Sequence, residues 1–272
     1  MLLDGRELAG FIKERQARTV RRLRARKITP TLAIVQAVDD AVTDKFTRAK
    51  QRYGQDIGVE VAIHKLPVSR SDLVQDRILK IIEGLNEDAK VHGIIVQLPL
   101  PDGVDVDKVL DLIKPNKDVD GLGSQSRFDP ATPTAILWLL AGYNIDLKEK
   151  EVLIVGKGRL VGKPIKRLLE KSHIKVVALD EHAKDLATQI KQAEVIISGT
   201  GQPGLIKSSM IKKGAAVIDA GTSSEGGKLV GDADPKLYER QDVKISPTPG
   251  GVGPLTVCAL FGNVIQAAGG RG

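Results

Sequence analysis

Cysteine is nearly absent: Cys258 is the only one in 272 residues, so no internal disulfide can form and a reducing compartment is the simple expectation. Long hydrophobic runs are missing as well. The longest nearly uncharged apolar stretch, AILWLLAGYNI at 135–145, is about half of what a membrane helix requires. The opening segment, MLLDGRELAG, carries acidic residues and no extended apolar core, unlike a secretory signal. The four histidines, His64, His92, His173 and His182, are scattered without metal-ligand spacing, so no metal site is expected. These absences point to a cytoplasmic protein that needs neither membrane, disulfide nor metal.

What is present is ordinary for a globular chain. Hydrophobic residues make up 42% and charged residues 28%, which excludes a fibre or a disordered tail, and the length suits up to two domains. The formal charge of +7 is confined to one place. Segment 13–27, KERQARTVRRLRARK, holds Lys13, Arg15, Arg18, Arg21, Arg22, Arg24, Arg26 and Lys27 against Glu14, and so carries the whole excess. Leu8, Phe11, Ile12, Val20 and Leu23 fall at helical spacing, which predicts an amphipathic helix with a crowded basic face. Because the rest of the chain is balanced, the charge argues for a solvated helix face and against a nucleic-acid partner.

Strand and helix patterns alternate along the chain. Strands are predicted at 31–37, 59–66 and 92–101, with helices at 40–56 and 71–85 between them. This β-α-β-α-β order is that of a parallel sheet covered by helices. The stretch 114–134, KPNKDVDGLGSQSRFDPATPT, reads as a long functional or boundary loop, followed by an apolar helix at 131–143. A second series follows: strands at 151–156, 174–180, 194–199, 215–221 and 242–247, helices at 161–171 and 183–192, and a C-terminal helix at 252–268. The fold class is thus α/β with two lobes. The domains are expected at 1–134, with 252–272 packing back on it, and at 135–251.

Two glycine-rich segments carry chemistry. EVLIVG runs into GKGRLVG, placing Gly156, Gly158 and Gly162 between a strand and a helix. Such glycines permit a tight turn, close approach of a pyrophosphate, and tight helix–strand packing, with the helix N-terminus facing the anion. Asp180, 24 residues past Gly156, stands where a ribose-binding carboxylate belongs and would repel a 2′-phosphate, while Lys157 and Lys184 could attract one. The second segment, SPTPGGVGPLT (246–256), has three glycines and three prolines in eleven residues, dense enough to lie along a flat ligand rather than form a simple turn.

The segments HGIIVQLPLP (92–101), NKDVDG (116–121), PATPTA (130–135), VGKGRLVGKP (155–164), GKLVGDAD (227–234) and PTPGGVGPLT (247–256) together resemble the FolD family of methylenetetrahydrofolate dehydrogenases/methenyltetrahydrofolate cyclohydrolases, in order and spacing over nearly the whole chain. The resemblance implies an N-terminal catalytic lobe, a Rossmann-like NAD(P)-binding lobe, a tetrahydrofolate substrate lying between them, and a homodimer. It also implies two reactions: oxidation of 5,10-methylenetetrahydrofolate to the methenyl form with NADP or NAD, then hydrolysis to 10-formyltetrahydrofolate.

Carried onto this sequence, the family pattern makes Lys50, Gln97 and Asp120 catalytic: the lysine shuttles protons, the glutamine contacts it, and the carboxylate holds the pterin. Thr43, Phe46, Leu98, Pro99, Pro249, Gly250 and Gly251 would line the substrate site. Gly156, Lys157, Gly158, Val161, Gly162, Lys163, Pro164, Asp180, Thr200 and Gly221 would bind the cofactor. The chain departs from the pattern at several of its motifs. Phe46 stands where the family has tyrosine one helical turn before the lysine. Gly121 is followed by Leu122, Gly123, Ser124 and Gln125 without the usual histidine and asparagine, and Ala131 replaces a cysteine. Gly156-Lys157-Gly158 replaces Gly-Arg-Ser, and Leu179-Asp180-Glu181 replaces Cys-His-Ser. Family habit favours NADP, whereas Asp180 and the missing serine favour NAD. Phe46 opens two alternatives: a monofunctional dehydrogenase with weak or no cyclohydrolase activity, and a non-catalytic folate-binding paralogue.

Overall fold

The computed structural model describes residues 1–66 and 74–270. The chain forms two compact units: residues 11–131 with 257–272, and residues 1–10 with 132–256. The expected boundary put residues 1–134 together. Instead, the first ten residues belong with the second unit, because the Leu3 N–H donates to the Ile245 carbonyl at 2.8 Å and the Gly5 N–H to the Gly250 carbonyl at 2.9 Å.

The first unit is built on a three-stranded parallel sheet in the order β2-β1-β3, from β1 (Thr31–Gln36), β2 (Glu60–Lys65) and β3 (Gly93–Gln97). Leu32, Ala33, Ile34 and Val35 of central β1 are fully buried, as expected of a parallel strand covered on both faces. Edge strand β2 alternates exposed and half-buried positions along most of its length. Most of α1 (Gly5–Ala25) belongs here, together with α2 (Ala41–Ile57), α3 (Val74–Glu87), α4 (Val106–Asp111) and the C-terminal part of α8 (Val252–Ala267). The predicted start of α3, at 71–73, lies outside the described residues. Helix α2 starts where Asp40 accepts hydrogen bonds from the Val42 and Thr43 amides and stops at Gly58, whose φ of 86° terminates the helix in the left-handed region. In α1, Val20 and Leu23 are buried, but Phe11, placed on the apolar face by its spacing, is 68% exposed.

The second unit holds a five-stranded parallel sheet in the order β10-β7-β6-β4-β5. Its strands are β4 (Val152–Val155), β5 (Val176–Leu179), β6 (Val195–Ser198), β7 (Ala216–Asp219) and β10 (Lys244–Ile245), with α5 (Ala131–Gly142) leading in and α6 (Gly162–Lys171) and α7 (Leu186–Gln192) between strands. The strand order reverses at β4, between β5 and β6, and ligands of such sheets bind outside the carboxyl ends of the strands at that point. A hairpin of β8 (Ser223–Glu225) and β9 (Lys228–Val230), not predicted from sequence, interrupts the series. The strand predicted over 242–247 narrows to two residues, because from Ser246 the chain turns into the glycine-rich loop.

Candidate active site

Helix α2 carries Phe46 and Lys50 one turn apart, so both emerge from the same helix face. Lys50 Nζ donates to Gln97 Oε1 at 2.6 Å, and Gln97 Nε2 donates to the Leu98 carbonyl at 2.9 Å. The second bond orients the amide of Gln97 so that its oxygen, the only atom able to accept from an ammonium, points at the lysine. Asp120 lies within electrostatic reach of Lys50. Burial lowers the Lys50 amine below its usual value while the charge of Asp120 partly restores it. Burial pushes the Asp120 carboxyl up to about 6 against the pull of Lys50, and neighbouring Asp118 adds to the rise. The structure therefore brings the three predicted catalytic residues together from α2, the end of β3 and the loop after α4.

Phe46 and Leu98 are half-buried and Pro99 is exposed beyond β3. Thr43 is placed differently from a ligand-contacting residue: it is 3% exposed, and its hydroxyl donates to Asp40 Oδ2 at 2.5 Å at the start of α2.

In the second unit the glycine-rich loop takes the form its spacing predicts. Gly156 has a φ of 98°, and a Cβ there would stand 2.8 Å from the Gly199 carbonyl oxygen. A Cβ on Gly162 would collide with the carbonyl of Gly156, so the first turn of α6 packs directly on the loop backbone. Gly158 faces open space, with its nearest neighbour 3.9 Å from an added Cβ. Val161 precedes α6 without capping it, Lys163 bonds back to the Gly158 carbonyl, and Pro164 has no N–H, which leaves the Gly162 amide at the helix start. Asp180 follows β5 and accepts from Lys157 Nζ at 3.4 Å, an exposed pair that lowers the carboxyl below its usual value.

Thr200 and Gly221 are tied to two buried carboxylates that sequence reasoning did not single out. Asp232 Oδ2 accepts from the Ser198 hydroxyl at 2.6 Å and the Thr200 amide at 2.7 Å. Asp219 Oδ1 accepts from the Gly221 amide at 2.9 Å and the Asp232 amide at 3.1 Å, and its Oδ2 accepts from the Ala233 amide at 3.0 Å. Both carboxylates are at most 1% exposed, and Asp232 Oδ1 has no hydrogen-bond partner among the described residues. The pair gathers the loops after β6, β7 and β9 at the carboxyl edge of the sheet. The only sequence signal was a polar residue closing each of two apolar strands, Ser198 and Asp219.

Pro249, Gly250 and Gly251 form the loop before α8. Gly250 has a φ of 118°, and a Cβ there would stand 2.6 Å from Arg6 Nη2; Arg6 itself donates to the Pro249 carbonyl at 3.1 Å. Arg6 was likewise not singled out by the sequence. Among the described residues no group of His, Cys, Asp and Glu could hold a metal, and no helix is long and apolar enough to cross a membrane.

Residues 3–120 match the model of the tetrahydrofolate dehydrogenase/cyclohydrolase catalytic domain, and residues 130–271 match that of its NAD(P)-binding domain. The chain belongs to the tetrahydrofolate dehydrogenase/cyclohydrolase family. Its relatives match from end to end. A bifunctional protein FolD from Moorella thermoacetica is 39% identical over 98% of each chain. The crystal structure of the bifunctional FolD enzyme from Campylobacter jejuni superposes with a TM-score of 0.91 at 34% identity, over 99% of this chain and 98% of that one. The Trypanosoma brucei dehydrogenase-cyclohydrolase, solved with NADP cofactor and an inhibitor, gives a TM-score of 0.91 at 29% identity, over 99% of this chain and 97% of that one. The glycine loop and the strand-edge carboxylates described above thus lie in the family's NAD(P)-binding domain, and Lys50, Gln97 and Asp120 in its catalytic domain.

Proposed function

We propose that this chain oxidises 5,10-methylenetetrahydrofolate to the methenyl form with a nicotinamide cofactor and hydrolyses that product to 10-formyltetrahydrofolate, in the cytoplasm. The observation that carries the reading is the Lys50–Gln97 bond with Asp120 in electrostatic reach. When bound, the nicotinamide supplies the hydride acceptor. Asp120 holds the pterin's amino and amide N–H groups, which fixes the methylene carbon relative to α2. In the hydrolytic step water adds to the methenyl carbon and gives one proton to Lys50, whose basicity burial lowers, which favours release of that proton again. Gln97 holds the amine's rotation so that its lone pair meets the water. The second proton passes to N5 as the N5–carbon bond breaks, leaving the formyl group on N10.

The folate site, with Phe46, Leu98 and Pro99, is assigned to the three-stranded unit, with Thr43 buried beneath it at the start of α2. The pyrophosphate is assigned to Gly156–Pro164, and Thr200, Gly221 and Pro249–Gly251 border the cofactor side. For the finer choice of cofactor we read NAD. Asp180 accepts the ribose hydroxyls and repels a 2′-phosphate, and Lys157, already paired with Asp180, offsets that repulsion only in part. The family resemblance also supports a second copy of the chain as partner.

A coupled assay tests the activity. Methenyltetrahydrofolate consumption no faster than the buffer background would leave a monofunctional dehydrogenase, the reading favoured by Phe46 beside Lys50. Folate binding without reduction of either cofactor would leave a binding paralogue. For the cofactor, a kcat/KM more than tenfold higher with NADP would overturn the reading of Asp180. Sedimentation of the intact protein as a monomer would remove the dimer.

A further inference from the structure

The loop that presents Asp120 is fastened on both sides of that residue. On the near side, Lys117 Nζ donates to the carbonyls of Leu85 at 2.9 Å and Asp88 at 2.7 Å, a cation seated at the C-terminal end of α3. The Lys117 carbonyl accepts from the Ile94 amide at 2.7 Å, which lays the loop alongside β3. Val119 is fully buried, and its carbonyl accepts from Asn263 Nδ2 at 2.9 Å. On the far side Gly121 turns with a φ of 73°, and a Cβ there would stand 2.8 Å from the Phe128 carbonyl oxygen.

Between these anchors Asp118 points inward, 1% exposed. Its Oδ1 accepts from the Gly121 amide at 3.2 Å and its Oδ2 from the Gly123 amide at 2.8 Å. Its backbone carbonyl accepts from the Ser126 hydroxyl at 3.0 Å. The side chain thus reaches past Asp120 and closes the turn around it. Asp118 takes part in no ion pair among the described residues, and burying its charge is offset by the Gly121, Leu122 and Gly123 amides and the Ser126 hydroxyl.

We propose that Asp118 is a positioning residue of the folate site: its buried carboxylate holds the 118–123 turn so that Asp120 stays beside Lys50. This rests on the assignment of Asp120 to the pterin. The groups that act on Asp120 are Lys50 from α2, which stabilises its charge, and Asp118 from its own loop, which opposes it; Gln97 from β3 is uncharged. Removing the charge of Asp118 therefore has a second consequence, a more acidic Asp120.

The test is a double-mutant cycle on the full chain with Asp118→Asn, Asp120→Asn and the pair, read as folate KM, cofactor KM and the acid limb of kcat/KM for the dehydrogenase. Asp118→Asn sets an amide donor against the Gly123 N–H, so the folate KM should rise about tenfold while the cofactor KM stays within about twofold. The acid limb should move to lower pH, which a loss of packing alone would not produce. The pair should be no worse than Asp120→Asn by itself, because Asp118 acts through Asp120. Effects that multiply in the pair, or an impaired Asp120→Asn beside an unimpaired Asp118→Asn, would overturn the proposal and leave Asp120 in place. An unimpaired Asp120→Asn would overturn the assignment of Asp120 and the proposal with it. If Asp118→Asn does not fold, Ser126→Ala loosens the same turn more gently; a raised folate KM with an unchanged cofactor KM is then expected, and equal values for both would refute the role.

Discussion

Replacing Asp219 by asparagine should flatten the pH dependence of stability. Asp219 closes β7 at 1% exposure, and burial pushes its carboxyl up to about 6, the three backbone amides that bond it offsetting burial only in part and the charge of Asp232 adding to the rise. Against an ordinary value of 3.8, that displacement corresponds to ~3 kcal/mol. The folded-state value lies above the unfolded one, so the contribution of Asp219 to stability is complete below 3.8 and is lost as the pH rises through about 6. Asparagine does not titrate. It keeps one acceptor for the Gly221 and Asp232 amides but turns an N–H₂ toward the Ala233 amide, at a cost of about 1–3 kcal/mol that is independent of pH. The two effects nearly cancel at neutral pH, so the signature is the slope rather than the absolute stability. Urea unfolding followed by the fluorescence of Trp138, the chain's only tryptophan and part of the same unit, measures it. Between pH 5 and pH 7.5 the variant should gain ~1.5 kcal/mol relative to the wild type. Parallel stability curves for the two proteins would refute the assignment of a buried, proton-binding carboxylate at this strand end.

Three other outcomes are expected. Phe46→Tyr restores a hydroxyl one helical turn from Lys50 and should raise the cyclohydrolase rate by about 10²-fold, with the dehydrogenase within about threefold; an unchanged hydrolysis rate would show that this position does not serve the step. Asp180→Ser removes the carboxylate and frees Lys157 from its 3.4 Å pairing, so the ratio of kcat/KM for NADP over NAD should rise at least about tenfold, and a constant ratio would place the discrimination elsewhere. Neutralising Arg21, Arg22 and Arg24 together should raise the KM for polyglutamylated folate and leave that for the monoglutamate unchanged if the basic face of α1 serves the anionic tail; equal effects on both would reject that role.

The fold was legible wherever one physical constraint ruled the local sequence. β1, β4, β6 and β7 are buried on both faces, so each is a short apolar run that stands out from its surroundings. The glycine-rich loop was legible for a similar reason: Gly156 and Gly162 lie where any side chain would strike backbone, and the backbone left them no alternative. The β8–β9 hairpin was not legible from hydrophobic pattern, because its strands are polar and only three residues long. Its one cue was the pair Gly226-Gly227, whose φ values of 55° and 76° suit a tight hairpin turn.

The site was legible to a different depth. Lys50, Gln97 and Asp120 come from three separate elements, and nothing in their local sequence sets them apart from solvated residues; only the family resemblance joined them. Asp118, Asp219 and Asp232 stayed hidden for a deeper reason. Asp118 and Asp232 sit among glycines and other aspartates, where a carboxylate reads as a turn residue facing water, and Asp219 shows only as a polar residue closing an apolar strand. What makes them internal is the convergence of backbone amides and hydroxyls, from segments up to 34 residues away, on a single side chain, and that convergence exists only after the chain has folded. The basic segment of α1 shows the reverse: its charge is plain in the sequence and Arg15, Arg18, Arg21, Arg22 and Arg26 are exposed, while Lys13, Arg18 and Arg24 form ion pairs with carboxylates among the described residues. A visible surface charge therefore carried less functional information than three carboxylates whose burial no local pattern announced.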